Sequence, residues 1–209
     1  MKKSEKTAAL TYEEKLYSQG FKLIAGIDEA GRGPLAGPVT ACAVIMPKGL
    51  IISGVYDSKK VSEKRRLVLA EQIKEAAVDY ALGWADAGLV DEINILQAAY
   101  YAMEQAVNKL KKPPDVLLVD GVQNKWKPGI YSEFIIGGDR ESHSIAAASI
   151  LAKVSRDKFM TDWHEKYPQY GFDKHKGYGT LKHREAILKY GLCPIHRKSF
   201  LKSITPHKK

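Results

Sequence analysis

The sequence has little of what defines several protein classes. Only two cysteines occur in 209 residues, Cys42 and Cys193, and they form no CxxC pair. That spacing argues against a zinc ribbon or a disulfide framework and suits a reducing compartment. No run approaches the ~18 uninterrupted apolar residues of a membrane span. Met1-Lys2-Lys3-Ser4-Glu5-Lys6 is basic with no apolar stretch behind it, which is not the pattern of a secretory signal. His143, His164, His175, His183, His196 and His207 supply no HxxxH pair, so ligation of a metal by histidine is disfavoured. No internal repeat or linker interrupts the chain. The expectation is one cytoplasmic domain over residues 1–209, monomeric by default, with 1–11 a polar, frayed tail. No association with a membrane is expected, and the sequence makes no protein partner evident.

What the chain has in excess is positive charge. Lys and Arg outnumber Asp and Glu by 33 to 24, a formal net charge of +9, which suits a polyanionic partner without identifying one. Apolar residues make up 44%, enough for one buried core at this length. Leu23 to Ile27 reads as a buried strand ending in a glycine-rich turn, and Val39 to Met46 as a second strand. So short a link favours an antiparallel pair, because a parallel crossover takes roughly a dozen residues or more.

Ser62 is placed to cap a helix to about Ala77, with Leu67, Ala70, Ile73 and Ala77 on one stripe. Tyr80–Trp84 reads as a strand and Leu89–Leu110 as a long helix stopped by Pro113-Pro114. Asp115–Asp120 and Phe134–Ile136 are apolar strands, Ser144–Tyr167 a long helix and His183–Tyr190 a shorter one. The order predicts an α/β fold: a mixed sheet flanked by helices on both faces, with a C-terminal helical segment.

The segment Gly26-Ile27-Asp28-Glu29-Ala30-Gly31-Arg32-Gly33 resists the usual glycine-loop readings. Gly31 to Gly37 is GxGxxxG, one residue too long for a dinucleotide fingerprint, and Gly26 to Arg32 lacks the lysine and Ser/Thr of a P-loop. Acids beside a phosphate repel it unless a cation lies between them. A solvated turn would explain one Asp-Glu pair. Asp120, however, ends its own apolar strand before Gly121, and Asp139 follows Ile135-Ile136-Gly137-Gly138. If these strands are neighbours, the carboxylates converge at one sheet edge, where open α/β sheets place ligands. Asp28, Glu29, Asp120 and Asp139 carry enough oxygens for two Mg²⁺ or Mn²⁺ ions.

Two further segments bear on the same chemistry. Ser142, Ala146, Ser149, Lys153 and Arg156 fall on one helical face, where Lys153 and Arg156 are placed to bind phosphates or support the carboxylates. Asp157 is spaced to pair with Lys153. In Asp173-Lys174-His175-Lys176-Gly177-Tyr178-Gly179-Thr180, basic residues interleave with an aromatic and two glycines, a pattern that suits phosphate contact plus stacking on a sugar or base.

Taken together, these motifs resemble bacterial type 2 ribonuclease H, the ribonuclease HII family. The matching segments are Ala25 to Val39, Asp57-Ser58-Lys59-Lys60, Asn94 to Ala98, Val119-Asp120-Gly121, Gly138-Asp139, Ile145 to Asp157 and His175 to Thr180. The resemblance implies an RNase H-like fold and Mg²⁺- or Mn²⁺-dependent cleavage of RNA paired to DNA. It also implies incision on the 5′ side of ribonucleotides embedded in duplex DNA. It assigns the metal carboxylates to Asp28, Glu29, Asp120 and Asp139, and the reading of the ribose 2′-OH to the backbone of Gly31-Arg32-Gly33. Tyr178 would pack on the following deoxyribose, and Lys59, Ser149, Lys153 and Arg156 would contact substrate or support the site. The tandem Asp28-Glu29 argues against the type 1 enzymes, and the 27 residues before Asp28 are too few for the extra domain of the type 3 enzymes.

The expected mechanism is two-metal hydrolysis giving a 5′-phosphate and a 3′-hydroxyl. The alternatives are a catalytically silent nucleic-acid-binding module and another polynucleotide reaction on the same fold, such as junction resolution. Val122 to Trp126 matches no usable pattern, and Lys202 to Lys209 is basic without resembling a clamp-binding peptide.

Overall fold

The computed structural model describes residues 6–122 and 126–202. The centre of the loop after Gly121, and the basic end from Ser203, lie outside the described residues.

The chain opens with helix α1 (Thr11–Ser18), followed by strands β1 (Ile24–Ala30) and β2 (Val39–Ile45). These strands form the expected antiparallel hairpin, with Ala25 opposite Ile45 and Ala30 opposite Thr40. Helix α2 (Glu63–Ala76) starts at Ser62, whose hydroxyl accepts from the Arg65 amide. Strand β3 (Asp79–Ala85) returns antiparallel to β2. Helix α3 (Ala87–Asn108) leads into β4 (Val116–Asp120) and β5 (Ser132–Ile135), which extend the sheet in parallel from the other edge of β1. The sheet order is therefore β3-β2-β1-β4-β5. Short α4 (Gly138–Glu141), long α5 (His143–Lys166), α6 (Phe172–His175) and α7 (Leu181–Tyr190) complete the described chain.

Strand alternation divides the core. Ala25, Ile27, Leu117 and Val119 pack with α3 residues such as Ala102 and Ala106. Cys42 and Val44 pack on the other face with Leu69 and Ile73 of α2 and with the alanines of α5. Two glycines permit the close layers. A Cβ on Gly26 would lie 2.1 Å from the carbonyl carbon of Ser144, and one on Gly83 would lie 1.8 Å from the Ala102 oxygen. Among the described residues no helix is long and apolar enough to cross a membrane.

Several local expectations need correction. The tail is docked from Thr7: Ala8 is buried and its amide donates to the Val55 carbonyl at 2.9 Å. Helix α1 escaped the sequence reading because it buries only Glu13 and Leu16, too few for a stripe. In α2 the buried positions are Leu69, Ala70 and Ile73, while Leu67 is exposed. Helix α3 is not continuous. Asn94 has φ +68°, and its side chain accepts from the Leu96 and Gln97 amides, so it caps the second segment.

Candidate active site

Asp28 lies inside β1 rather than beyond its end. Ile27 is in register with Val119 of β4, so Asp28 and Asp120 follow side by side at the carboxyl ends of two parallel neighbours. This is where parallel strands present ligand-binding groups. Alternation places both on the α5 face, while Glu29 is directed to the α3 face. Glu29 accordingly lines two spaces: the main pocket, of about 400 Å³, and a small groove with Leu96, Tyr100 and Asp120. The tandem acids thus approach from opposite sides of the sheet edge. Asp139, in the first turn of α4, joins them through Asp120, whose Oδ1 accepts from the Gly138 amide at 2.7 Å.

All four carboxyls are held above their ordinary range. Burial is the largest cause for Asp28, with the charges of Glu29 and Asp120 next; the Ser149 hydroxyl and Glu29 amide oppose it. Burial also raises Glu29, against the pull of Arg32 at 3.3 Å. Asp120 is raised by burial, opposed by the Gly138 amide and Lys59. Burial, then Asp57 and Asp120, push Asp139 up to about 6. Mutual repulsion among hard oxygen donors is the electrostatic situation that a divalent cation relieves. Among the described residues, no three His, Cys, Asp or Glu side chains are close enough to grip an ion as they stand. The donor chemistry fits Mg²⁺ or Mn²⁺: Asp28, Glu29 and Asp120 line the pocket, and Asp139 lies near Asp120 outside that lining.

The same pocket is lined by Gly31, Arg32, Gly33 and Tyr178, and by Ser58, Lys59, Ser149, Lys153 and Arg156. Gly31 has φ +97°, and a Cβ there would lie 2.0 Å from Arg156 Nε. A Cβ on Gly33 would meet only Tyr178 Cε1, at 3.7 Å. Tyr178 itself is largely exposed.

Known proteins resemble this chain in sequence and in fold. The profile of the family described as Ribonuclease HII matches residues 25–203. The chain belongs to the ribonuclease HII family. A ribonuclease HII of Endomicrobium trichonymphae is 55% identical over 190 residues, covering 91% of this chain and 90% of the relative. The ribonuclease HII of Archaeoglobus fulgidus, solved in complex with PCNA, is similar with a TM-score of 0.72 at 25% identity, over 90% of this chain and 98% of its own. A Bst-RNase HIII solved with Mn²⁺ shares the fold at TM-score 0.61 and 16% identity, over 81% of this chain and 63% of its own. Membership makes the protein an endonuclease of the ribonuclease H class, a hydrolase, from a family that depends on divalent metal ions.

Within this ribonuclease HII framework some expected residues take other places. Arg156 is buried and donates to the carbonyls of Pro38, Lys176 and Ala36 at 2.9–3.1 Å, so it fixes loops rather than offering itself to a phosphate. Lys153 pairs with Asp157 at 2.7 Å, as its spacing suggests. Ser142 caps α5 and donates to Glu13 at 2.7 Å, away from the pocket. In the segment around Tyr178, Lys174 pairs with Asp173 and Lys176 reaches Glu63. His175 Nε2 lies 2.7 Å from the Tyr170 carbonyl. Of that segment only Tyr178 lines the pocket.

Two residues escaped the sequence reading of the chemistry. Asp57 is buried beside Asp139, 3.4 Å from Arg140; its place in the family motif was the available signal. Arg197 is buried against the loop that begins at Gly31, and nothing in its local sequence marks it.

Proposed function

We propose that this pocket hydrolyses the RNA strand of RNA–DNA hybrids and incises on the 5′ side of ribonucleotides embedded in duplex DNA. The products carry a 5′-phosphate and a 3′-hydroxyl. The observation that carries the reading is the pairing of Asp28 with Asp120 at adjacent strand ends, in a pocket that Gly31-Arg32-Gly33 and Tyr178 also line.

Asp28, Glu29, Asp120 and Asp139 would hold two Mg²⁺ or Mn²⁺ ions, as the oxygen-only donors and raised carboxyls suit. Bound ions supply activation of the attacking water and stabilisation of the leaving 3′ oxygen. The Ser149 hydroxyl favours the charged form of the Asp28 carboxyl. Lys59 offsets the negative charge at Asp120 and Asp139 and, being exposed, is available to a phosphate. Gly31 to Gly33 let a sugar-phosphate backbone approach main-chain amides, and the 2′-OH is the group that separates RNA from DNA there. The exposed Tyr178 ring offers a surface for the neighbouring deoxyribose.

Substituting Asp120→Asn tests the assignment. Cleavage of a duplex containing one ribonucleotide should fall by roughly 10³-fold, about 4 kcal/mol of transition-state stabilisation, with binding of the duplex retained. Near wild-type cleavage by the variant would overturn it. An all-DNA duplex and a four-way junction, both left uncut by the wild type with Mg²⁺, complete the assay.

A further inference from the structure

Arg197 is fully buried in the segment after α7. Its guanidinium donates to four main-chain carbonyls: Nε to Gly37 at 2.8 Å, Nη1 to Arg32 at 3.0 Å and Pro34 at 2.9 Å, and Nη2 to Gly31 at 2.6 Å. Main-chain pairing fixes where it starts, because the Arg197 amide donates to Leu35 and the Gly37 amide to Ile195. Four carbonyl dipoles drawn to one point repel each other unless a cation lies there. The planar fork of arginine can serve all of them; the compact ammonium of lysine cannot.

A trans peptide places C=O and N–H on opposite sides. Holding the Gly31 and Arg32 carbonyls inward therefore turns the N–H groups of Arg32 and Gly33 away from Arg197, and these residues line the pocket beside Asp28 and Glu29.

We propose that Arg197 is a positioning residue for substrate discrimination, locking the two peptides of Gly31-Arg32-Gly33 so that their amides face the ribonucleotide sugar. The proposal rests on the function proposed above for this pocket. Asp91 of α3 secures the same segment by accepting from the Lys198 and Ser199 amides at 2.8 and 2.9 Å. It therefore gives a second way to loosen Arg197 without removing it.

The test uses the full chain with Arg197→Lys and Asp91→Ala, followed by amide exchange and by kcat and KM on two substrates. In Arg197→Lys the amides of residues 37 and 197, hydrogen-bonded to the Ile195 and Leu35 carbonyls in the clamped loop, should exchange about tenfold faster while those of β1 and β2 keep their protection. Cleavage of a single-ribonucleotide duplex should fall about tenfold relative to a long RNA–DNA hybrid, mainly through KM, with Mn²⁺ affinity unchanged. Asp91→Ala should shift both readouts the same way to a smaller extent, and it decides the matter if Arg197→Lys does not fold. Unchanged exchange at residues 37 and 197, or equal losses on both substrates, would overturn the proposal. A wild type that leaves the single-ribonucleotide duplex uncut overturns the functional reading instead, and amide exchange still judges the positioning role.

Discussion

Gly31 and Gly33 flank the same arginine but answer to different constraints. Gly31 sits at φ +97°, with Arg156 Nε 2.0 Å and the Pro38 oxygen 2.7 Å from where a Cβ would be. An alanine there strains the backbone and pushes the buried guanidinium off its carbonyls, at a cost on the order of 1–3 kcal/mol. Gly31→Ala is expected to lower both the melting temperature and kcat/KM on a single-ribonucleotide duplex. Gly33→Ala meets only Tyr178, at 3.7 Å, so it should melt like the wild type. Any loss of cleavage in Gly33→Ala then reports substrate approach, and thermal scans beside steady-state kinetics separate the cases.

Asp139 belongs to the same scale. Its carboxyl is pushed up to about 6 by burial, then Asp57 and Asp120, so at pH 5 it carries a proton that an ion must displace. Mn²⁺ should raise the melting temperature at pH 7.5 and much less at pH 5. An equal effect at both pH values would exclude Asp139 from the donor set.

Helix α5 carries the site because β1 lets it come close. The Cβ of a Gly26→Ala variant would fall 2.1 Å from the Ser144 carbonyl carbon, and overpacking of this kind costs about 1–3 kcal/mol. The variant should melt several degrees lower and cleave more slowly, since Ser149 and Arg156 ride on α5.

Helix α7 contributes His183 to a buried histidine pair with His196 of the segment that follows, joined Nε2 to Nε2 at 3.1 Å. The other ring nitrogen of His183 lies 2.9 Å from the Tyr178 carbonyl. Burial, above all, holds both near pKa 4, below the ordinary 6.5. The unfolded chain therefore binds protons that the folded chain refuses between about pH 6.5 and 4, and the pair's contribution is lost as pH falls through that window. The raised carboxyls titrate in the opposite sense there, so the comparison of wild type with His196→Gln isolates the histidine part. The wild type should show the steeper fall in melting temperature below pH 6.5; parallel curves would refute the assignment.

Elements were legible where one local signal sufficed. Ser62 capping α2, the short hairpin link and the apolar run of β4 were read correctly from neighbouring residues. The break at Asn94 was not, because an asparagine inside an apolar-periodic stretch looks like an ordinary helical residue until its φ of +68° is known.

At the scale of the molecule, a net charge of +9 accompanies a cleft lined by Asp28, Glu29 and Asp120. Binding of an RNA–DNA hybrid should weaken as salt rises, with log affinity falling linearly in log salt at roughly 0.7–0.9 per phosphate contacted. Titrations between 50 and 300 mM KCl at fixed Mg²⁺ measure that slope; a slope near zero would show that backbone phosphates contribute little. Lys59→Ala should flatten it by about one contact.

The sequence by itself determined the fold class, the strand that ends in Asp120, and the oxygen-only chemistry of the carboxyl side chains. Each follows from short-range periodicity or from residue type. Only the tertiary structure decided that Asp28 and Glu29 leave β1 on opposite faces, that Asp57 joins the acidic cluster, and that Arg156 and Arg197 serve the backbone. The reason is distance along the chain. The carbonyls these arginines hold lie 118 residues from Arg156 at Pro38, and 166 from Arg197 at Gly31. No spacing rule spans that separation; only the packed sheet, with its strand ends under α5, brings donor and acceptor together.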